Sequence, residues 1–146
     1  LLETCRQVLE ETGCETGKLE LEVTESMLLG NDERTLATLD GLRALGFRLA
    51  IDDFGTGYSN LAYLQRYPFS SLKIDRSFIA ALDSGTPIAE LVISLCHLLG
   101  MDIVAEGVES QHQLEWLHQR NCHTYQGFLY SPALPAEQFL QQICRR

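Results

Sequence analysis

Arg48-Leu49-Ala50-Ile51-Asp52-Asp53-Phe54-Gly55-Thr56-Gly57 opens as an apolar run and closes on two adjacent carboxylates followed by glycines two residues apart. A short apolar run bounded by a glycine turn reads as a buried strand over 48–52. The glycines at 55 and 57 permit positive φ, so the following loop can bend over the strand end and reach a neighbouring subunit; a plain structural turn is the commoner use of such glycines.

Upstream, apolar and polar residues alternate through Leu19-Glu20-Leu21-Glu22-Val23-Thr24-Glu25, which places Glu20, Glu22 and Thr24 on one face of a strand. Before it, residues 1–12 are helix-like, with Leu2, Cys5, Val8 and Leu9 at helical spacing and Gly13 as a stop. A helix over 32–45, ended by Gly46, separates the two strands. Downstream, strands are expected at 71–75, 102–105 and 124–126, with helices near 58–66, 87–99 and 111–120. Five strand and helix units in alternation imply a parallel sheet.

Two architectures of parallel strands compete. An open doubly wound sheet concentrates its chemistry at one switch point, whereas a (β/α)8 barrel gathers it from the C-terminal ends of many strands. Glu22, Asp52 with Asp53, Lys73 with Asp75, Glu106 and Gln126 fall at or just past the ends of five successive strands. Only a barrel brings five such ends to one point. The reading is therefore α/β, a TIM-like (β/α)8 barrel, here a partial barrel of five strand-helix units, since a complete one takes roughly 250 residues.

The 146 residues, 45% hydrophobic and 21% charged, suit one globular unit. No apolar run reaches membrane-spanning length and no signal-peptide pattern is present, so the segment is expected in the cytoplasm with no membrane contact of its own, although other domains of its parent are free to anchor it. Five scattered cysteines without a C-x-x-C pair read as reduced thiols. A net charge of −9 argues against a nucleic acid polymer as partner, and an anionic substrate would need a bound cation. The start at Leu1, without methionine and inside a helix, reads as a piece of a longer chain.

Residues 19–26, Asp52-Asp53-Phe54-Gly55-Thr56-Gly57-Tyr58-Ser59, Leu72-Lys73-Ile74-Asp75-Arg76-Ser77-Phe78, Val104-Ala105-Glu106-Gly107-Val108-Glu109 and Gln126-Gly127-Phe128 resemble, in order, the later signature motifs of EAL domains. These are bacterial signalling modules, metal-dependent phosphodiesterases that hydrolyse cyclic di-GMP to linear pGpG. The resemblance implies that Glu22, Asp52, Asp53 and Glu106 hold two Mg²⁺ or Mn²⁺ ions, with Asp52 bridging them. It implies that Lys73 and Gln126 hold the attacking water, that Glu106 belongs to the catalytic set, and that Glu25 steadies the Asp-Phe-Gly-Thr-Gly loop. Glu109 matches a second glutamate near the site, and Asp75 is a weak candidate for substrate contact. The family's Glu-Ala-Leu motif and a ligating asparagine are absent from this sequence, so residues 1–146 are expected to be the C-terminal portion of a single EAL domain and inactive alone. The resemblance further implies a homodimer through the barrel and an upstream sensory or cyclase domain.

The physical chemistry is compatible with this. Four converging carboxylates repel one another unless cations compensate them, and oxygen ligands without a His/Cys cluster favour Mg²⁺ or Mn²⁺ over zinc. Two such ions sharing a water would lower its pKa and stabilise in-line attack on phosphorus. Lys73 has a plainer alternative, an ion pair with Asp75 or Glu106. Asp75 and Arg76 read equally well as a cap for the next segment. Glu20 is expected one layer deeper than Glu22, with Arg48 a candidate partner. The four histidines lack ligand spacing, and Leu114, Trp116 and Leu117 read as helix packing. Two departures from the family pattern stand out: a slightly short stretch between Lys73 and Glu106, and no basic residue at Ser131-Pro132-Ala133. Alternatives to the enzyme are a noncatalytic cyclic di-GMP receptor and a structural barrel used for dimerisation. The intact ligands favour the enzyme.

Overall fold

A computed structural model of the chain describes residues 1–28, 33–55, 61–84 and 88–144. The alternation read from the sequence becomes five parallel strands: β1 (Glu20–Thr24), β2 (Arg48–Phe54), β3 (Ser71–Ile74), β4 (Asp102–Glu106) and β5 (Thr124–Gln126). Each is followed by at least one helix. A leading α1 (Leu2–Thr12) is joined by α2 (Glu33–Ala44), α3 (Leu61–Arg66), α4 (Arg76–Ala80), α5 (Ile88–Leu99), α6 (Gln111–His118) and α7 (Ala136–Cys144). The strands lie side by side in chain order, β1-β2-β3-β4-β5. An order without reversal has no switch point, which excludes the doubly wound sheet and leaves a segment of a (β/α)8 barrel.

Side chains alternate across this sheet as parallel pairing requires. Ile51, Leu72 and Ile103 share one register row and Ile74 pairs with Ala105, all buried in the core with Leu39, Leu42, Ile79, Val92, Ile93 and Cys96 from the helices. The opposite face carries Ala50, Asp52, Ser71, Lys73, Val104 and Glu106. Thus one face of each strand seats the helices, at about 1.5–3 kcal/mol for each large aliphatic side chain fully buried, and the other presents polar groups to the barrel interior.

Several boundaries differ from the sequence reading. β2 runs two residues past Asp52, and α6 ends at His118. Asp75, expected inside the third strand, stands one residue beyond it. There its carboxylate accepts from the Ser77 N–H at 2.9 Å and caps α4. That helix and α7 were not anticipated. α4 is a single short turn-and-a-half, and α7 follows Pro135 with Phe139, Leu140 and Ile143 on an exposed apolar side. Thr56, Gly57, Tyr58 and Ser59 of the glycine loop, and Asp32 at the start of the expected second helix, lie outside the described residues. Leu114, Trp116 and Leu117 pack against the core as expected. No helix among the described residues is long and apolar enough to cross a membrane.

Candidate active site

The C-terminal ends of four neighbouring strands converge on one ammonium group. Lys73 Nζ lies 2.8 Å from Glu22 Oε1 on β1, 3.4 Å from Asp52 Oδ1 on β2 and 2.7 Å from Glu106 Oε1 on β4. Lys73 occupies the central strand, whose four residues are all buried, and its side chain is 10% exposed. A lysine so placed must be paired. Burial works against its charge, but hydrogen bonds to Glu106 and Glu22, with the charges of Glu106 and Asp52, outweigh that and raise its pKa above the ordinary lysine value. The plainer ion-pair alternative was right about Glu106 as a partner and wrong about Asp75, which is occupied with Ser77. Glu22, on the edge strand, keeps a side chain 53% exposed.

A bulge in β2 supplies the second aspartate. Ile51 pairs with Leu72 and Phe54 with Ile74, so Asp52 and Asp53 together stand opposite Lys73 alone. Bulges of this kind kink a strand and re-aim its side chains. Asp53 takes the left-handed conformation at φ 55°, which aspartate tolerates better than most residues, and its N–H donates to Asp52 Oδ1 at 3.0 Å. The extra residue thereby brings two successive carboxylates to the strand end instead of one.

Glu25, buried at the start of a 3₁₀ turn after β1, accepts from the Gly55 N–H through Oε2 at 3.1 Å. It thus ties the end of β1 to the start of the glycine loop. Gly55 is at φ 93°, and a Cβ there would meet the Phe78 ring at 2.9 Å. On the far side, Glu106 pairs in register with Gln126. The loops beyond them are in close contact: Val108 N–H donates to Gln126 O at 3.1 Å, and Leu129 N–H to Val108 O at 3.0 Å. A Cβ at Gly127 would lie 2.1 Å from Val108 O, so only glycine allows this approach. Gln126 itself is exposed and borders a cavity of about 350 Å³ shared with Phe128, Pro132 and Phe139. Glu109 is exposed, with its N–H donating to Gln113 Oε1 at 2.8 Å.

The structure therefore gathers Glu22, Asp52, Lys73 and Glu106, places Asp53 on the bulge beside them, and puts Gln126 on the next strand. Glu109 and Asp75 stand outside the cluster. Among the described residues no three Asp, Glu, His or Cys side chains are arranged to hold an ion directly, and one oxygen each of Glu22, Asp52 and Glu106 faces the lysine. The sequence reading missed this hub and the Gln113 clamp, whose side chain accepts from Glu109 and Ser110 and donates to Ile79 O at 3.4 Å. The Ser110/Gln113 capping box of α6 was the available signal for the clamp.

With this geometry in place, comparison with known proteins is decisive. The family profile described as EAL domain matches residues 1–133. The chain belongs to the EAL domain family. It is 45% identical over 147 aligned residues to the cyclic di-GMP phosphodiesterase NbdA of Pseudomonas aeruginosa, covering 97% of this chain and 19% of that protein. The structure of the PaMucR phosphodiesterase in complex with c-di-GMP superposes with a TM-score of 0.89 at 43% identity, over 95% of this EAL chain and 57% of that one. Klebsiella pneumoniae BlrP1, solved as a manganese/cy-diGMP complex, matches with a TM-score of 0.78 at 32% identity, over 88% and 33% of the two chains. This EAL chain spans about a fifth of the length of NbdA.

Proposed function

We propose that this chain forms part of a cyclic di-GMP phosphodiesterase and that Glu22, Asp52, Asp53 and Glu106 hold two divalent cations, Mg²⁺ or Mn²⁺. The observation that carries this is the convergence of three carboxylates, from the ends of β1, β2 and β4, on a buried lysine of β3, all within 3.4 Å. Three carboxylates and Asp53 against one ammonium leave a surplus of negative charge. Their donors are all hard oxygens, a set that fits Mg²⁺ or Mn²⁺ and not zinc. Bound there, such cations supply positive charge that acidifies water and stabilises the oxygens of an in-line displacement at phosphorus.

The chain's own groups have separate tasks. Lys73 donates to a phosphate oxygen or to the attacking water, and Gln126 orients that water from the neighbouring strand. Glu25 steadies the start of the glycine loop through the Gly55 N–H. Glu109 and Asp75 are outlying contacts for the substrate. The names of NbdA and PaMucR support hydrolysis, and the BlrP1 complex supports a divalent ion. We place the chain in a bacterial signalling protein that works as a homodimer with a sensory or cyclase domain, in the cytoplasm.

Chromatographic assay of cyclic di-GMP turnover tests this reading in the protein that carries the chain. The expected product is pGpG, formed with Mg²⁺ or Mn²⁺ and abolished by EDTA. Binding of cyclic di-GMP without turnover in either metal would make the protein a receptor and sink the catalytic reading. The 146-residue chain alone is expected to be inactive, since β1 and β5 each pair on one side only among the described residues and the sheet does not close. Metal-dependent turnover by the purified chain would overturn that expectation.

A further inference from the structure

We propose that His118 and His123 form a two-imidazole site for a borderline divalent cation, Zn²⁺, Ni²⁺ or Cu²⁺, at the end of the sheet opposite the carboxylates. His118 closes α6 and His123 immediately precedes β5, so both stand at the N-terminal end of that strand. Their ring centroids lie 5.6 Å apart, the planes are inclined at 47°, and both side chains are exposed to solvent. Imidazoles that share a tetrahedral ion through nitrogens about 2.0–2.1 Å from it have centroids about 5 Å apart. The observed separation is of that size, and the tilt excludes flat stacking.

A spacing of five residues conceals the pair in the sequence. On an uninterrupted helix the second ring would be turned away by about 140°. The chain instead reverses at Asn121, which takes the left-handed conformation at φ 57°. Asn121 N–H donates to His118 O and Cys122 N–H to Leu117 O, each at 3.0 Å, the paired bonds of a Schellman closure. Leu117 and Cys122, 0% and 2% exposed, pin both arms of the turn in the core. The backbone beneath the rings is thus fixed in advance, which reduces the ordering that a bound ion must impose. The charges nearby agree. Arg120, the cation nearest in sequence, is held elsewhere, with its guanidinium 3.8 Å over the Trp116 ring and 3.4 Å from Glu90. Glu115, exposed and one turn before His118, adds negative charge to the same flank. Among the described residues no third Asp, Glu, His or Cys completes a metal-holding group, so water fills the remaining positions. Imidazole nitrogens suit Zn²⁺, Ni²⁺ or Cu²⁺, whereas the strand-end oxygens suit Mg²⁺ or Mn²⁺. The pair is therefore separate from the proposed catalytic site in both place and chemistry.

Histidine footprinting with diethyl pyrocarbonate, read peptide by peptide, tests this in the protein that carries the chain, because each residue reports separately whatever else that protein contains. The reaction is run above the ordinary imidazole pKa, where protons do not compete with the ion. Zn²⁺ is expected to slow modification of His118 and His123 over the same concentration range and to leave the exposed His97 unaffected. Mg²⁺ is expected to protect neither ring. In His118→Ala the Zn²⁺ concentration that half-protects His123 is expected to rise about ten-fold or more, as loss of one of two donors requires, and His123→Ala should do the same to His118. Neither change should alter turnover of cyclic di-GMP in Mg²⁺. Should one variant fail to fold, the reciprocal variant and the wild-type profile decide. Protection of one ring alone, protection of neither, or protection of His123 that His118→Ala leaves unchanged would overturn the inference, and each would leave the carboxylate site standing.

Discussion

The two ends of the sheet are built alike and behave differently. At the N-terminal end, Arg48 lies between Glu20 and Asp102, with Nε 3.4 Å from Glu20 Oε1, and the buried Ser71 hydroxyl donates to the same glutamate oxygen at 2.7 Å. At the C-terminal end, Lys73 lies among Glu22, Asp52 and Glu106. The contributing strands are the same, and each upper residue follows its lower counterpart by two or four positions, along the same side of the strand. Yet the lower cluster sets one guanidinium against two carboxylates in a site open to water, with Arg48 47% exposed. Its hydrogen bond to Asp102 raises the Arg48 pKa, against the opposing effect of burial. The upper cluster sets one covered ammonium against three carboxylates, with Asp53 beside it. A nearly balanced, wet cluster joins strands; an acidic surplus in a covered one calls for further cations. That contrast, more than the residue types, distinguishes a structural polar layer from a reactive one.

Substitutions at both ends can break the contrast. The largest effect is expected from Asp52→Asn, which should remove Mn²⁺ binding and lower turnover of cyclic di-GMP by at least about a hundred-fold in the protein carrying the chain. Unchanged hydrolysis and binding, read by chromatography and calorimetry, would mean that the upper cluster is as structural as the lower. Next, Lys73→Ala should cost roughly 3–5 kcal/mol in EDTA, because it strips a covered cation from carboxylates that remain. Urea unfolding with and without Mn²⁺ measures it, and the metal should recover much of the loss. Glu25→Ala should cost about 1–3 kcal/mol locally by orphaning the Gly55 N–H. Faster amide exchange at Gly55, with the sheet amides unaffected, is the sign to look for. The smallest change belongs to Arg48→Met, below about 1 kcal/mol because the pair is water-screened. It should leave Mn²⁺ affinity as it was, and a change there would show that the two ends are coupled.

Strand positions and the acidic residues at their ends were legible in the sequence because both depend on local pattern. Alternation through 19–25 placed Glu20 and Glu22 on one face, and Arg48, a candidate partner for Glu20, does pair with it. Register was not legible. The bulge that sets Asp52 and Asp53 against Lys73 depends on how β2 aligns with β3, and nothing in either strand alone reports it. The hub role of Lys73 was hidden for the same reason, since its partners come from three other strands. α4 escaped notice because five residues are too few to show a period, and α7 because no strand among the described residues follows to frame it.

The bulge in β2 also acts as a spatial reading frame. Before it, Ile51 faces the helices; after it, Phe54 does so again, although three steps separate them where strict alternation allows an even number. Removing either aspartate would leave a single carboxylate opposite Lys73, with Ile51 still opposite Leu72 and Phe54 still opposite Ile74. The strand would then alternate regularly, with Phe54 kept on the core face and one carboxylate lost from the strand end. Substitution at 52 or 53 leaves that frame intact, as would loss of one aspartate, so the chemistry of this strand end can be altered one residue at a time while the core receives the same side chains.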